Sequence, residues 1–239
     1  MKAALVTGSA KGLGREICLA LADWGYIPII HFNKSSDEAE KVVKGLTKNG
    51  IKTKAYSADL LNEEDAGKLV KKITGDFGNI DLLINNVGNF LYKDFNKTTN
   101  AEFRAMVETN IYPTLYVSRA VLPQMRKQKN GQIINIGAVG ADRILIRSKS
   151  TPYFIGKTGV YILTKMMAWE EAKNGIKINM ISPASLVEDI FKASDFPMGR
   201  SARPKDVISA LKFLISPENS YINGANIEVA GATVPGIEG

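Results

Sequence analysis

Short apolar runs alternate with longer amphipathic stretches along most of this chain. In the amphipathic stretches, apolar residues recur three and four positions apart, as Leu69, Val70 and Ile73 do, which predicts helices with one buried face. The short runs predict strands at 3–7, 27–32, 53–57, 82–85, 132–136, 177–182 and 226–229. The amphipathic stretches predict helices at 13–25, 36–48, 63–76, 100–128, 153–173 and 204–216.

The predicted strands are short and apolar on both faces, as expected for a parallel sheet that helices cover on both sides. The strict alternation of strand and helix predicts a single α/β domain over residues 1–239, with a Rossmann-like, doubly wound parallel sheet of about seven strands. We find no internal repeat and no linker in the sequence. The segment 184–203 lacks both patterns, and a loop of this length in a compact domain is interpreted as a substrate loop.

A glycine-rich turn connects the first predicted strand to the first predicted helix. It contains Gly8, Gly12 and Gly14, interspersed with Lys11 and Leu13. Glycines allow a tight turn and a close approach of the backbone to a pyrophosphate. The helix that follows offers free N–H groups and the positive end of its dipole to an anion. A strand before the turn and a helix after it complete the context that a dinucleotide-binding turn requires.

The end of the second predicted strand carries Asn33, Lys34 and Ser35. Domains that bind NAD usually place Asp or Glu here to hydrogen-bond the ribose 2′-hydroxyl, whereas the first acidic residue after this strand is Asp37. A lysine and a serine, with Lys11 beside them, can instead bind a 2′-phosphate, which favours NADP(H). The same residues are also suited to capping the next helix, and both interpretations can hold because the two sites adjoin.

The overall charge of the chain does not indicate a further kind of partner. The formal net charge is +7 at pH 7, but the basic residues are scattered and not interleaved with aromatic residues, so we expect no nucleic-acid partner. No apolar run approaches the roughly 20 residues of a membrane span. The first strand begins so early that no cleavable leader is expected, and a cytoplasmic location is predicted.

Cys18 and His31 are the single cysteine and the single histidine of the sequence. One cysteine allows no intrachain disulfide, and Cys18 lies in an apolar helical stretch, which favours a buried position. No other metal ligands cluster with His31, so the sequence predicts no metal site. We interpret His31 as a structural residue or one that lies near the cofactor.

Further motifs follow in a fixed order and spacing along the chain. They are Asn85-Asn86-Val87-Gly88, Thr109-Asn110, Tyr153 with Lys157, Asn179 to Pro183, Gly199-Arg200, Pro204 to Val207, and Ile222 to Gly224. Each is common by itself, but together they resemble the short-chain dehydrogenase/reductase family over essentially the whole chain. The similarity is closest to the oxoacyl-carrier-protein reductases.

The resemblance implies an NADPH-dependent oxidoreductase that reduces the carbonyl group of a small molecule, such as a 3-oxoacyl thioester or a ketone. It assigns catalysis to Tyr153, Lys157 and Asn110. Tyr153 and Lys157 share one helix face, and an ammonium beside a phenol favours the loss of the phenolic proton. Tyr153 is then the proton donor, Lys157 tunes it and binds the nicotinamide ribose, and Asn110 holds a water that relays protons to Lys157.

The resemblance also implies further contacts to the cofactor. Asp59 and Leu60 are expected to face the adenine, and Asn86 and Gly88 to line the ribose. The backbone of Leu186 is expected to meet the carboxamide.

One position departs from the family pattern. A catalytic serine is expected after the fifth strand, where this chain has Ala138. The loss of one such hydrogen-bond donor typically lowers the rate by a factor of about 10²–10³. A residue of the following loop can replace the serine, the candidates being Asp142, Ser148, Ser150 and Thr151. Otherwise the substrate needs no such donor, or the protein binds its cofactor with weak or no catalysis.

Some features resemble pteridine reductases, which also lack this serine. These are the run from His31 to Ser35 and the pair Asp142-Arg143. They imply an alternative function, the reduction of a C=N bond, although those enzymes usually carry Asp where this chain has Ala138. The substrate depends on how the segments 145–151 and 184–203 fold over the nicotinamide.

The family resemblance also implies a homodimer or a homotetramer. The helices at 100–128 and 153–173 usually pair across a two-fold axis in this family. Their apolar residues can form such an interface or belong to the core of one chain, and the sequence leaves both open. They are Tyr112, Leu115, Tyr116, Ile162, Met166 and Met167.

Overall fold

The structure is a computed structural model that describes residues 1–144, 149–186 and 190–233. The strands are β1 (Ala3–Val6), β2 (Ile27–Phe32), β3 (Lys54–Ser57), β4 (Leu82–Asn85), β5 (Gly131–Ile136), β6 (Ile176–Pro183) and β7 (Asn226–Val229). The helices are α1 (Gly12–Asp23), α2 (Ser36–Lys48), α3 (Glu63–Phe77), α4 (Asn100–Gln128), α5 (Thr151–Glu171) and α6 (Pro204–Ile215).

The strands form one parallel sheet in the order β3-β2-β1-β4-β5-β6-β7. The chain therefore winds outward from β1 in one direction and from β4 in the other, which confirms the predicted doubly wound fold. A crevice opens where the winding direction reverses, outside the carboxyl ends of β1 and β4. The glycine-rich turn and the segment after β4 both lie at this place.

Two apolar layers cover the two faces of the sheet. One layer contains residues of α3, α4 and α5, among them Ile73, Val121 and Met167. The other contains residues of α1, α2 and α6, among them Leu21 and Leu211. Both faces of the central strands are thus buried, which explains why these strands are apolar throughout.

A ladder of buried polar side chains crosses the first of these layers. Asn85 and Asn135 lie side by side on β4 and β5, and the Asn85 amide donates to Asn135 Oδ1 at 2.9 Å. The same amide donates to Ser118 Oγ of α4 at 3.0 Å, and Asn135 donates to Thr164 Oγ1 of α5 at 2.8 Å. The four side chains are at most 3% exposed. They therefore fix α4 and α5 on the sheet in one relative position.

Helix and strand ends differ from the predicted ones by a few residues. α5 begins at Thr151 instead of 153, because Pro152 suits the first turn of a helix, where its missing N–H costs nothing. β6 continues to Pro183, which pairs with Val229 and accepts a hydrogen bond from Val139 N–H at 3.0 Å. The segment predicted as a substrate loop contains a short 3-10 turn at Ala193–Asp195.

The apolar residues considered for a subunit interface separate into two groups. Met167 is 8% exposed and belongs to the interior of the chain, and Tyr116 is partly buried against the core. Tyr112, Ile162 and Met166 are exposed by 39%, 54% and 52%. Leu115 has intermediate exposure.

None of the helices within the described ranges combines the length and the apolar character needed to cross a membrane.

The buried polar ladder yields a prediction about stability. Replacing Asn135 by Ala leaves the Asn85 amide and the Thr164 hydroxyl short of a buried partner, so the free energy of unfolding should fall by about 2–4 kcal/mol. Urea denaturation measures this change. The exposed Asn49→Ala serves as the matched control and should change it by less than about 0.5 kcal/mol. Equal, small effects of the two substitutions would contradict the structural role of the ladder.

Candidate active site

The glycine-rich turn contains backbone conformations that residues other than glycine rarely adopt. Gly8 and Gly12 have φ of 62° and 56°, in the left-handed region. A Cβ on Gly14 would lie 2.5 Å from Gly8 O, so the start of α1 packs directly against the turn. Lys11 is the exposed N-cap residue of α1, and Leu13 is partly buried against the core. The geometry expected of a phosphate-binding turn is therefore present.

His31 clamps this turn to the neighbouring strand. Gly8 N–H donates to His31 Nδ1 at 3.0 Å, so Nδ1 carries no proton and Nε2–H donates to Ala58 O at 3.2 Å. Burial lowers the pKa of His31 to about 4, which keeps the ring neutral. The His31 backbone adds two bonds to Ser9, accepting from its N–H at 2.9 Å and donating to its Oγ at 3.1 Å.

The residues expected to bind a 2′-phosphate lie at the end of β2. Asn33 and Lys34 are exposed, and Ser35 is the N-cap residue of α2. The Ser35 side chain makes no capping hydrogen bond, so its hydroxyl does not serve the role that the alternative interpretation gave it. Asp37 lies within the first turn of α2, beyond the strand end.

Asn86 and Gly88 follow β4, and Asn86 contacts the glycine-rich turn. Asn86 donates its side-chain amide to Thr7 O at 3.1 Å and to Gly8 O at 3.2 Å. A Cβ on Gly88 would lie 2.5 Å from Asn110 Oδ1 and 3.1 Å from Lys157 Nζ. Gly88 therefore lets α4 and α5 present these two polar atoms at the same point of the crevice.

Lys157 is buried beside Tyr153, one helical turn away on α5. Its Nζ donates to Ile136 O at 2.9 Å and lies 5.8 Å from the centre of the Tyr153 ring. The residue is 5% exposed, and burial lowers its pKa to about 8. A buried ammonium is costly, and such cost is typical of groups that take part in chemistry.

Asn110 is fully buried on α4. Its amide donates to Met106 O at 2.8 Å and to Asn89 O at 2.9 Å. Its Oδ1 has no hydrogen-bond partner among the described residues. This free acceptor lies against Gly88, where a water or a ligand could complete it.

The residues expected at the adenine and carboxamide differ in exposure. Asp59 is exposed, and its carboxylate accepts a hydrogen bond from Leu61 N–H at 3.1 Å. Leu60 is 3% exposed, and its side chain packs in the core. Leu186 is partly buried against the opposite core layer.

Ala138 is 5% exposed at the end of β5. Of the candidates for a replacement donor, Asp142 is turned to β7, where its carboxylate accepts from Asn226 Nδ2 at 3.1 Å and pairs with Arg143. Ser150 is 3% exposed, has a left-handed backbone (φ 68°) and precedes Tyr153 by three positions. Thr151 begins α5 with intermediate exposure.

Residues 145–148, which include Ser148, lie outside the described residues, as do residues 187–189 of the predicted substrate loop.

The loop after β5 is held by β7. Glu228 accepts from Gly140 N–H at 2.7 Å through Oε1, and its Oε2 pairs with the Arg143 guanidinium. The sequence pattern gave no signal for this contact, because residues 140 and 228 are far apart along the chain. The pair Asp142-Arg143 therefore has a structural use here.

The residues present fit a dinucleotide. The turn offers glycine backbone and a helix N-terminus, and Gly88 leaves space where a Cβ would collide. At the same place, Asn110 Oδ1 has no partner within the described ranges. Within the described ranges, no group of three or more His, Cys, Asp or Glu is arranged to hold a metal ion.

A family model described as short chain dehydrogenase matches residues 2–195. The chain belongs to this family, as the order of its sequence motifs predicted.

Individual relatives make the similarity more specific. The 3-oxoacyl-[acyl-carrier-protein] reductase FabG of Staphylococcus epidermidis is 31% identical over 244 residues, covering 96% of this chain and 98% of the relative. The protein of the same name from Vibrio cholerae is 33% identical over 240 residues, covering 96% of each. Among solved structures, a gluconate 5-dehydrogenase from Burkholderia cenocepacia in complex with NADP and tartrate superposes with a TM-score of 0.89. It is 26% identical, and the match covers 96% of this chain and 94% of that one.

The neutral, buried state of His31 yields a prediction about pH. Its pKa is about 4 in the folded chain and ordinarily 6.5, so the stability it contributes is present above pH 6.5 and is lost as the pH falls toward 4. The free energy of unfolding should fall by about 2 kcal/mol between pH 7 and pH 5. In His31→Asn, the Asn Oδ1 can still accept from Gly8 N–H but cannot titrate, so this loss should disappear. Urea denaturation at several pH values measures both, and parallel pH profiles would refute the assignment.

Proposed function

We propose that the protein is an NADP(H)-dependent oxidoreductase that reduces a carbonyl group, with Tyr153 as the proton donor. The observation that carries this proposal is the convergence of Tyr153, Lys157, Asn110 Oδ1 and Gly88 beside the glycine-rich turn. A dinucleotide held by that turn would reach this point of the crevice. The family and the printed names of the relatives, a reductase and an NADP-bound dehydrogenase, support the same reaction class.

The proton is supplied by the chain itself. When bound, the cofactor would supply a hydride to the carbonyl carbon, and Tyr153 would donate its phenolic proton to the carbonyl oxygen. Lys157 is an ammonium below its pKa of about 8, and its Nζ lies 5.8 Å from the centre of the Tyr153 ring. Its positive charge therefore stabilises the phenolate that remains when the proton is donated. The reverse direction, oxidation of an alcohol, uses the same groups with the proton returning to Tyr153.

Asn110 completes the proton path. Its Oδ1 finds no hydrogen-bond partner in the part of the chain that the structure describes, and it flanks Gly88 together with Lys157 Nζ. A water between these groups would accept a hydrogen bond from Lys157 and donate one to Asn110. We assign Asn110 to holding this water, through which Lys157 exchanges protons with solvent.

The cofactor preference follows from charge at the end of β2. Lys34 and Lys11 are exposed cations, and the Ser35 hydroxyl is not used for capping. These groups suit a 2′-phosphate, and an acidic residue that would accept from a ribose 2′-hydroxyl does not appear before Asp37. Asn33, Asp59, Leu60 and Leu186 complete the proposed cofactor contacts. Here the buried side chain of Leu60 restricts that residue to backbone contact.

Ala138 supports a second candidate function, a cofactor-binding protein with weak catalysis. Its methyl group offers no hydrogen bond to the substrate oxygen, and Asp142 is engaged with β7. In the reductase hypothesis, the buried Ser150 is the described hydroxyl best placed to substitute, because it directly precedes the helix that carries Tyr153.

We also propose a homodimer or homotetramer, in which the exposed face of α4 and α5 is covered by a second copy. The exposed apolar residues of this face are Tyr112, Ile155, Ile162, Met166 and Trp169.

Turnover measurements decide between the candidate functions. NADPH consumption is followed with 3-oxoacyl thioesters, simple ketones and a dihydropterin. The reductase proposal expects turnover of a carbonyl substrate that Tyr153→Phe lowers by at least about 10²-fold, because the proton donor is lost. Ala138→Ser adds the missing donor and should raise the rate of the wild type about tenfold or more but should not rescue Tyr153→Phe.

Other results point to the alternatives. Turnover of the dihydropterin alone would favour the pteridine-reductase-like function. Binding of NADPH without turnover, followed by activity in Ala138→Ser, would favour the cofactor-binding protein. Full activity of Tyr153→Phe would remove Tyr153 from the mechanism.

The 2′-phosphate site is tested by reversing one charge. Lys34→Asp repels the phosphate and can accept a hydrogen bond from a ribose 2′-hydroxyl, so the ratio of affinities for NADPH and NADH should fall about tenfold to 100-fold. Fluorescence titration with each cofactor measures this ratio. Lys41→Asp, on the exposed side of α2, is the matched control and should leave the ratio within about twofold of the wild type. An unchanged ratio in Lys34→Asp would place the phosphate elsewhere.

A further inference from the structure

A line of aromatic rings runs from Tyr153 to the substrate loop. Each ring contacts the next, and the line crosses from α5 to the segment after β4 and then to residues 191–196. In order of contact, the rings are Phe154, Tyr153, Phe90, Tyr92, Phe191 and Phe196. We call Phe90, Tyr92 and Phe191 the aromatic wall, because these three connect Tyr153 with the loop.

The wall begins directly at the proposed proton donor. The Phe90 ring lies 4.9 Å from the Tyr153 ring, centre to centre, at an interplanar angle of 88°. Phe90 and Tyr92 are nearly parallel, at 23° and 6.4 Å, and Tyr92 meets Phe191 at 5.3 Å. A group attached to a carbonyl that Tyr153 protonates would therefore lie beside Phe90.

Two rings of the wall are open to solvent. Phe90 is 45% exposed and Tyr92 is 43% exposed. Adjacent large apolar side chains at the mouth of a crevice mark a ligand site more often than they mark ordinary surface. Phe191 and Phe196 are more buried than these two rings, so the open part of the line is the part nearest Tyr153.

The open rings are also held in place. Asp94 and Lys149 form an antiparallel bridge between the segment that follows Tyr92 and the residues that precede α5. Lys149 Nζ lies 4.8 Å from the centre of the Tyr92 ring. The wall is thus formed before a ligand binds, which lowers the entropy cost of binding.

We propose that the aromatic wall binds an aryl or other planar, unsaturated group attached to the carbonyl that Tyr153 protonates. This inference rests on the proposed function and names its substrate class. The Phe90 and Tyr92 rings are stacked and about half exposed, so a planar group can make ring-to-ring contacts with them that a flexible alkyl chain cannot form. Contacts between aromatic rings add to simple burial, by an amount equivalent to about threefold to tenfold in binding.

Two methyl ketones of equal carbon number test the wall, acetophenone with an aryl group and 2-octanone with an alkyl chain. With NADPH, the wild type should have the higher kcat/KM for acetophenone. Phe90→Leu keeps an apolar side chain but removes the ring, so kcat/KM for acetophenone should fall about threefold to tenfold while that for 2-octanone changes less than about twofold. Phe95→Leu is the matched control, since Phe95 is 65% exposed nearby and should affect neither ketone.

A binding measurement separates the wall from the reaction. Saturation-transfer NMR reports contact of the acetophenone ring with the NADP⁺-loaded protein, with and without Phe90→Leu. Loss of this signal in Phe90→Leu supports the wall, even if neither ketone is turned over, a result that would count against the reductase function alone. Reduction of 2-octanone without detectable binding of acetophenone would overturn the wall and leave the reductase function standing. Equal effects of Phe90→Leu on both ketones, or none on either, would also overturn it.

Discussion

The hydrogen bonds between Asn85, Asn135, Ser118 and Thr164 determine the geometry on which the candidate site depends. α4 supplies Asn110 and α5 supplies Tyr153 and Lys157, and β5 separates the two helices along the chain. Apolar packing alone tolerates small shifts of helices on a sheet, whereas buried polar groups must meet partners at fixed distances. The amide side chains therefore set the register of the two helices, and the proposed catalytic groups converge as a consequence.

A second set of contacts positions the cofactor side of the crevice. His31 accepts from the glycine turn with one ring nitrogen and donates to the end of β3 with the other. One neutral side chain thus links the ends of three strands. Burial has a different effect on Lys157, because it destabilises the ammonium and lowers the pKa of this residue to about 8. Burial thus keeps His31 neutral at the end of β2, and it destabilises the charge of Lys157 beside Tyr153.

The sequence predicted the fold and the identity of many candidate site residues, because both follow from local patterns. Strand and helix periodicity is local, and so are the glycine turn and the spacing of Tyr153 and Lys157. The contacts of His31, Glu228 and Phe90 were not predictable, since their partners are distant in the chain and no motif marks them. Ala138 was recognised as a departure, but only the structure showed that Asp142 is held by Asn226 on β7.

The attachment of Glu228 to the loop after β5 has a consequence for synthesis of the protein. The ribosome makes β1 to β6 first, and these strands can begin to form the sheet while the rest of the chain is still absent. Gly140 and Arg143 acquire their partner only when residue 228 has emerged. The loop that precedes α5 therefore reaches its final shape only after β7 has been made, so a nascent chain can hold most of the sheet before it has a complete site.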